Sequence, residues 1–195
     1  MQEGRYMCGR YYVDPDTEDE IRKIVNTAEE KTKIIQGDVF PSQRAAVITS
    51  SSNGLYVGRM AWGFPGYVGK GLVINARAET APEKPMFRDA MASRRCAVPA
   101  AGFYEWNRRK EKFRFWREGV PVLYLAGCYD QENRFVILTT DANSSVAPVH
   151  DRMPVILSSD ELRAWLGESS GYMQLLHRPQ PALQSGTDYQ QLSLF

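Results

Sequence analysis

Scarcity is the first information in this chain. Only three cysteines occur, Cys8, Cys96 and Cys128, widely spaced and without a C-x-x-C pair. That excludes a disulfide framework and a structural zinc site. No apolar run approaches the roughly 20 residues of a membrane span. The opening MQEGRYM lacks the apolar stretch of a signal peptide, so a cytoplasmic protein without a membrane partner is expected. Charge of one sign is not in excess either: 24 Lys plus Arg stand against 23 Asp plus Glu, a net charge of +1. Any nucleic-acid surface must then be a local patch rather than a whole basic face. Histidine is limited to His150 and His177, and no internal repeat is found. What remains is ordinary: 195 residues, 43% hydrophobic and 24% charged, enough for one domain with a real core.

Hydrophobic spacing predicts three helices. The first is opened by a Thr17–Glu20 capping box and followed by Ile21, Ile24, Val25 and Ala28 at helical intervals. The second covers PMFRDAMASRR from Pro85. The third covers SSDELRAWLG, with Ser158 and Glu161 as its box and Gly167 at its end. Between them lie runs rich in branched and aromatic residues: AAVITS, LYVGRMAWGF, LVINAR, CAVPAAGFYEW, KFRFWR, VPVLYLAGCYD, RFVILTTDA and MPVIL. WREGVP and DQEN read as hairpin turns. The fold class expected is α+β, a largely antiparallel sheet curled toward a barrel with flanking helices. After His177 the composition turns to Pro, Gln, Ser and Gly, which predicts a flexible tail over 178–195.

Four polar residues stand in or beside apolar sequence: Cys8, Asn75, Glu105 and His150. Cys8 follows Met7. If it became the first residue, its thiol and α-amine would sit on adjacent carbons, with reference pKa values of about 8.5 and about 7.7–8.0. An aldehyde meeting that pair forms an imine with the amine, and the thiol closes it into a thiazolidine. A buried, inert cysteine is the plainer reading of such a residue. Glu105 lies among Phe103, Tyr104 and Trp106, where poor solvation raises a carboxyl pKa and suits it to proton transfer; a strand-edge Glu facing water is the alternative. His150 is a proton-transfer candidate or a satisfied structural group. Asn75 interrupts the strand LVINARAE. Cys96 and Cys128 read as core, and His177 as surface.

The series MCGRY, W-G-F, INARAET, CAVPAAGFYEW, TTDAN and VHDRMPVIL, in that order, resembles the SOS response-associated peptidase family, the abasic-site-shielding proteins of bacteria and eukaryotes. The resemblance runs from about Cys8 to Leu166 and implies a β-rich domain over 8–177. It also implies covalent capture of an abasic site in single-stranded DNA as a thiazolidine, with Cys8 as nucleophile. Asn75 would position its amino end, and Glu105 and His150 would move protons. A weak lyase activity by β-elimination follows from the same imine. No metal and no organic cofactor is needed by this chemistry. A mid-chain cysteine has no free amine, so residues 1–7 are expected to be a leader or start-site extension absent from the active form. Translation from Met7 and self-cleavage at Met7–Cys8 both achieve that.

Candidate DNA contacts follow from chemistry. Arg10 and Arg77 lie two residues from Cys8 and Asn75, which in strand geometry places each on its neighbour's face. Trp62 and Trp106 are candidates for base stacking, with Pro41 at the strand mouth. Arg108 and Arg109, with Lys110 and Lys112, add a basic rim or a solvated hairpin. The terminal QLSLF resembles the bacterial sliding-clamp binding pentapeptide, with Gln191, Leu192, Leu194 and Phe195 as contacts. A monomer is expected. Two rival functions stay open: a thiol peptidase acting on other proteins through Cys8 and His150, and a non-covalent single-strand binder.

Overall fold

Alternating apolar residues build two sheets that meet over a shared core. The protein is described by a computed structural model over residues 8–25, 34–67, 71–167 and 171–187. In chain order the first half holds β1 (Arg10–Val13), α1 (Pro15–Ile24), β2 (Gly37–Val39), β3 (Arg44–Ser51), β4 (Gly54–Trp62), β5 (Phe64–Pro65), β6 (Leu72–Val73) and β7 (Asn75–Arg77). Next come α2 (Arg88–Ser93), β8 (Arg95–Ala100), β9 (Gly102–Trp106), β10 (Lys112–Trp116), β11 (Leu123–Tyr129) and β12 (Arg134–Asp141). The last elements are β13 (Arg152–Pro154), β14 (Ile156–Leu157), α3 (Leu162–Leu166), α4 (Tyr172–His177) and β15 (Gln184–Thr187).

One sheet has five strands in the order β15-β10-β9-β1-β2. The other has eight, and its pairings close a ring β12-β4-β3-β8-β11-β12, short of a regular barrel. Pairing is antiparallel except where β12 meets β4 and β7 in parallel. The α+β expectation therefore holds, with the sheet split into these two and a two-stranded pair of β5 with β6. Ala101 is the switch point of CAVPAAGFYEW: β8 lies in the ring, β9 in the five-stranded sheet, and the Ala101 amide bonds the Tyr12 carbonyl at 2.8 Å. Gly102 is required there, because a Cβ would stand 2.2 Å from the Phe115 carbonyl oxygen. Trp62 is fully buried at the junction, 5.2 Å from the Tyr11 ring and 6.1 Å from Phe135.

Several local expectations are corrected. Asp14, not Thr17, caps α1: its Oδ1 accepts from the Thr17 amide at 2.8 Å, and Pro15 takes the first turn. The Thr17 hydroxyl is spent on Asp14 and on the Pro121 carbonyl, which leaves it no capping role. Val25 ends this helix, and Ala28 lies outside the described residues. Of the second helix only Arg88–Ser93 forms, because Arg95 begins β8. Of the third, Leu162–Leu166 forms, with half of the predicted box present as the Ser158 amide donating to Glu161 at 2.8 Å. DQEN is the β11–β12 hairpin. WREGVP instead carries the chain between sheets, since β10 and β11 do not pair.

The expected linker after His177 is ordered as far as Thr187. Arg178 bonds Glu161 and the Ile156 carbonyl, each at 2.5 Å, and Leu183 is buried. Gln184–Thr187 then pairs with β10 as an edge strand. Backbone hydrogen bonds, indifferent to side-chain polarity, hold this segment. Residues 1–7 and the QLSLF contacts Gln191, Leu192, Leu194 and Phe195 lie outside the described residues.

Candidate functional site

Strand parity on β9 decides what Glu105 can do. Phe103 and Glu105 alternate with Tyr104 and Trp106, so the carboxylate points with Phe103 into the interior and is 1% exposed. Its Oε1 accepts from the Cys8 nitrogen at 2.6 Å. Burial pushes the Glu105 pKa up to about 8, hydrogen bonds from the Cys8 and Trp106 amides oppose that, and the nearby Asp151 charge adds to it. The carboxyl therefore changes protonation close to neutral pH. Cys8 is itself buried and takes a left-handed φ of 40° just before β1, a conformation that costs a non-glycine residue energy. Burial, then the Glu105 charge, holds its thiol well above the ordinary range. This sulfur is a neutral thiol, not a standing thiolate.

The ring supplies the other two residues. Asn75 opens β7, beside Ile137 of β12, and its Nδ2 donates to the Ile137 carbonyl at 3.5 Å. Its Oδ1 is buried without a partner, an acceptor open to a donor. No hydrogen bond joins Asn75 to Cys8, but the chains touch next door. A Cβ on Gly9 would lie 3.9 Å from Ile74, and Gly9, Pro41, Leu72 and Ile74 line one cleft of about 390 Å³. His150 ends the turn after β12. Its Nδ1 accepts from the Arg152 amide at 3.1 Å, with Asp151 Oδ1 at 3.2 Å.

Sequence reasoning missed what holds His150 in place. The half-turn after it is anchored by Arg152, which bonds Glu79 at 2.7 Å, the Thr139 carbonyl at 2.7 Å, and Asp141. Glu79, Asp141 and Arg152 sit inside INARAET, TTDAN and VHDRMP, so those three motifs meet through one guanidinium. The signal was present, because each motif carries a charged residue, Glu79, Asp141 or Arg152, at or just beyond the end of a strand.

The candidate DNA contacts fare unequally. Trp62 is a correction: it is 0% exposed and its indole N–H bonds the Ile74 carbonyl at 3.0 Å, so it cannot stack on a base. Trp106 is half-buried, with the Arg10 guanidinium 5.3 Å from its ring. Arg10 also lies 4.4 Å over Phe40 and 3.4 Å from Asp38. Pro41 lines the cleft beside Gly9. Arg77, Arg108 and Arg109 are exposed. Among the described residues no cluster of His, Cys, Asp and Glu could hold a metal ion, and no helix is long and apolar enough to cross a membrane.

The family model described as SOS response associated peptidase (SRAP) matches residues 7–191. The chain belongs to the SRAP family. Among SRAP relatives, it is 32% identical to "Abasic site processing protein YoqW" of Bacillus subtilis over 198 residues, 90% of this chain and 88% of that one. It is 28% identical to "Abasic site processing protein YedK" of Escherichia coli over 176 residues, 82% of this chain and 79% of that one. Two solved structures share this SRAP protein's fold. A Bacteroides thetaiotaomicron protein matches with TM-score 0.74 and 25% identity, covering 92% of this chain and 91% of that one. A Bordetella bronchiseptica protein matches with TM-score 0.75 and 25% identity, covering 92% and 99%.

Proposed function

We propose that the protein processes abasic sites in single-stranded DNA by covalent capture, with Cys8 as the reacting residue. One observation carries the reading: Glu105, buried and titrating near pH 8, holds the Cys8 nitrogen at 2.6 Å. The relatives' names, abasic site processing proteins, support the abasic site as substrate. The active form begins at Cys8, and hydrolysis of the Met7–Cys8 amide, adding one water across the C–N bond, is one route to it. Glu105 as carboxylate then takes a proton from the Cys8 ammonium and frees the amine. The amine attacks the aldehyde carbon of the ring-opened sugar to give a carbinolamine. Protonated Glu105 returns the proton to the carbinolamine hydroxyl, which leaves as water and gives the protonated imine, with Glu105 again a carboxylate. His150 donates a hydrogen bond to the departing oxygen. The thiol sulfur adds to the imine carbon while its proton passes to the Glu105 carboxylate, closing the five-membered ring. Loss of a sugar proton from the imine instead cuts the strand, a minor lyase route. Asn75 Oδ1, without a partner, accepts from the amine.

A neutral, buried thiol argues against a peptidase that attacks other proteins through a preformed Cys8 thiolate. The test is intact mass under denaturing conditions, before and after incubation with a single-stranded oligonucleotide carrying one abasic site. A chain starting at Cys8 should gain the oligonucleotide mass less one water, and Cys8→Ala should gain nothing. No gain in a chain proven to start at Cys8 overturns the reading. DNA association unchanged in Cys8→Ala, together with no adduct, would leave a simple binder.

A further inference from the structure

The twelve residues from Trp106 to Arg117, WNRRKEKFRFWR, carry six cationic side chains against one carboxylate, in a chain of net charge +1. They form the β9–β10 hairpin and the exit from β10. Parity sends Phe115 into the core and leaves Arg114 and Trp116 on the outer face. Register places Arg114 beside Tyr104, and Tyr104 beside Arg10. The outer face is a ladder of cations laid on rings. Arg10 lies 4.4 Å over Phe40, Lys112 5.0 Å over Tyr104, and Arg114 4.6 Å over Tyr12 and 5.0 Å over Trp116.

A guanidinium set against a ring face still has N–H groups to offer an anion, since it carries five donors. Arg114 and Arg117 are exposed and make no ion pair among the described residues. Arg22, Arg134 and Arg178 elsewhere are each paired to a carboxylate. Of the carboxylates near the ladder, Asp38 is occupied by Arg10, Asp14 by its capping bond and Glu111 by Asn107, while Asp16 and Glu118 are exposed beside Arg114 and Arg117. The ring faces are already covered by cations, so what this surface offers is a row of phosphate donors, which ends at a cleft of about 400 Å³ between Arg114 and Arg117. Its Arg10 end approaches the cleft beside Gly9, because the Phe40 ring under Arg10 adjoins Pro41, which lines that cleft.

We propose that the outer face of the five-stranded sheet binds the phosphate backbone of the single strand flanking the lesion, running from Arg10 across Arg114 to Arg117. This rests on the nucleic-acid reading above and extends it beyond the lesion pocket to a sequence-independent track. The charge-reversed double variant Arg114→Glu/Arg117→Glu tests it, with the neutral Arg114→Gln as a milder second. Binding is read by fluorescence anisotropy on oligonucleotides carrying a tetrahydrofuran abasic analogue, which has no aldehyde. One is flanked by about ten nucleotides on each side, and one is trimmed to the immediate neighbours. The double variant should weaken binding of the long oligonucleotide about tenfold or more and flatten its log K against log salt slope by about 1.4. Arg114→Gln should weaken it about threefold with about half that flattening, and neither should move binding of the trimmed oligonucleotide by more than about twofold. Equal loss on both oligonucleotides, or no loss on the long one, overturns the track. Adduct formation with a true abasic oligonucleotide is read separately, so failure of the covalent chemistry is distinguishable from failure of the track.

Discussion

Glu105 combines two demands on one side chain: a carboxyl that titrates near pH 8 can take a proton from the Cys8 amine and later return one. The same burial makes it a stability liability. Its folded pKa stands above the unfolded value of about 4.3, so its contribution is fully present below that pH and is lost as pH rises through about 8. A shift of this size is worth roughly 3–5 kcal/mol as an upper bound. Glu105→Gln keeps an acceptor for the Cys8 nitrogen and removes the titration. With residues 1–7 in place, the variant should match the wild type at pH 4 in urea unfolding and exceed it by about 2–4 kcal/mol at pH 8.5. In the form starting at Cys8, adduct formation should slow by about 10²–10⁴-fold. A stability difference that does not change with pH would show that Glu105 is solvated and unshifted, and would remove the basis for its proton-transfer role.

Elements were legible to different depths, and the reason is what holds each one. β3, β8, β11 and β12 hold consecutive residues buried on both faces, so composition alone exposes them, and β4 shows itself by alternation. Strand β15, Gln-Ser-Gly-Thr, has no such signature because it is an edge strand held by main-chain bonds to β10. Its role can be measured by comparing chains ending at Thr187 and at Leu183. Loss of four paired residues should cost about 2 kcal/mol and lower the Tm by roughly 4–8 °C. Equal melting would restore the linker reading of this segment. Trp62 failed for the opposite reason. A tryptophan in an alternating strand reads as a stacking platform or as core equally well, and only the arrival of β1 over β4 buries it. The cap of α1 slipped by one turn because Asp14 and Thr17 are both good caps, and the Pro121 carbonyl claims the threonine hydroxyl.

At the scale of the molecule, the candidate site lies on a seam between two sheets. Cys8 and Glu105 come with the five-stranded sheet, while Asn75 and His150 come with the ring. The sequence could mark each of the four as polar residues out of place in apolar surroundings. It could not bring Cys8 to Glu105, since 97 residues separate them, nor show the Arg152 network beside His150, which crosses three segments. Because the seam is closed by packing, access to Cys8 is a property of the whole fold. All three cysteines are free and fully buried, and burial raises the pKa of each thiol. With residues 1–7 in place, the native protein should therefore give no rapid reaction with a disulfide reagent at pH 7, and three equivalents once urea unfolds it. Reactivity of the native form should climb only at strongly alkaline pH. A rapid native equivalent lost in Cys8→Ala would mean that the seam stands open over Cys8. A rapid equivalent lost in Cys96→Ala or Cys128→Ala would contradict the packing of β8 on β11.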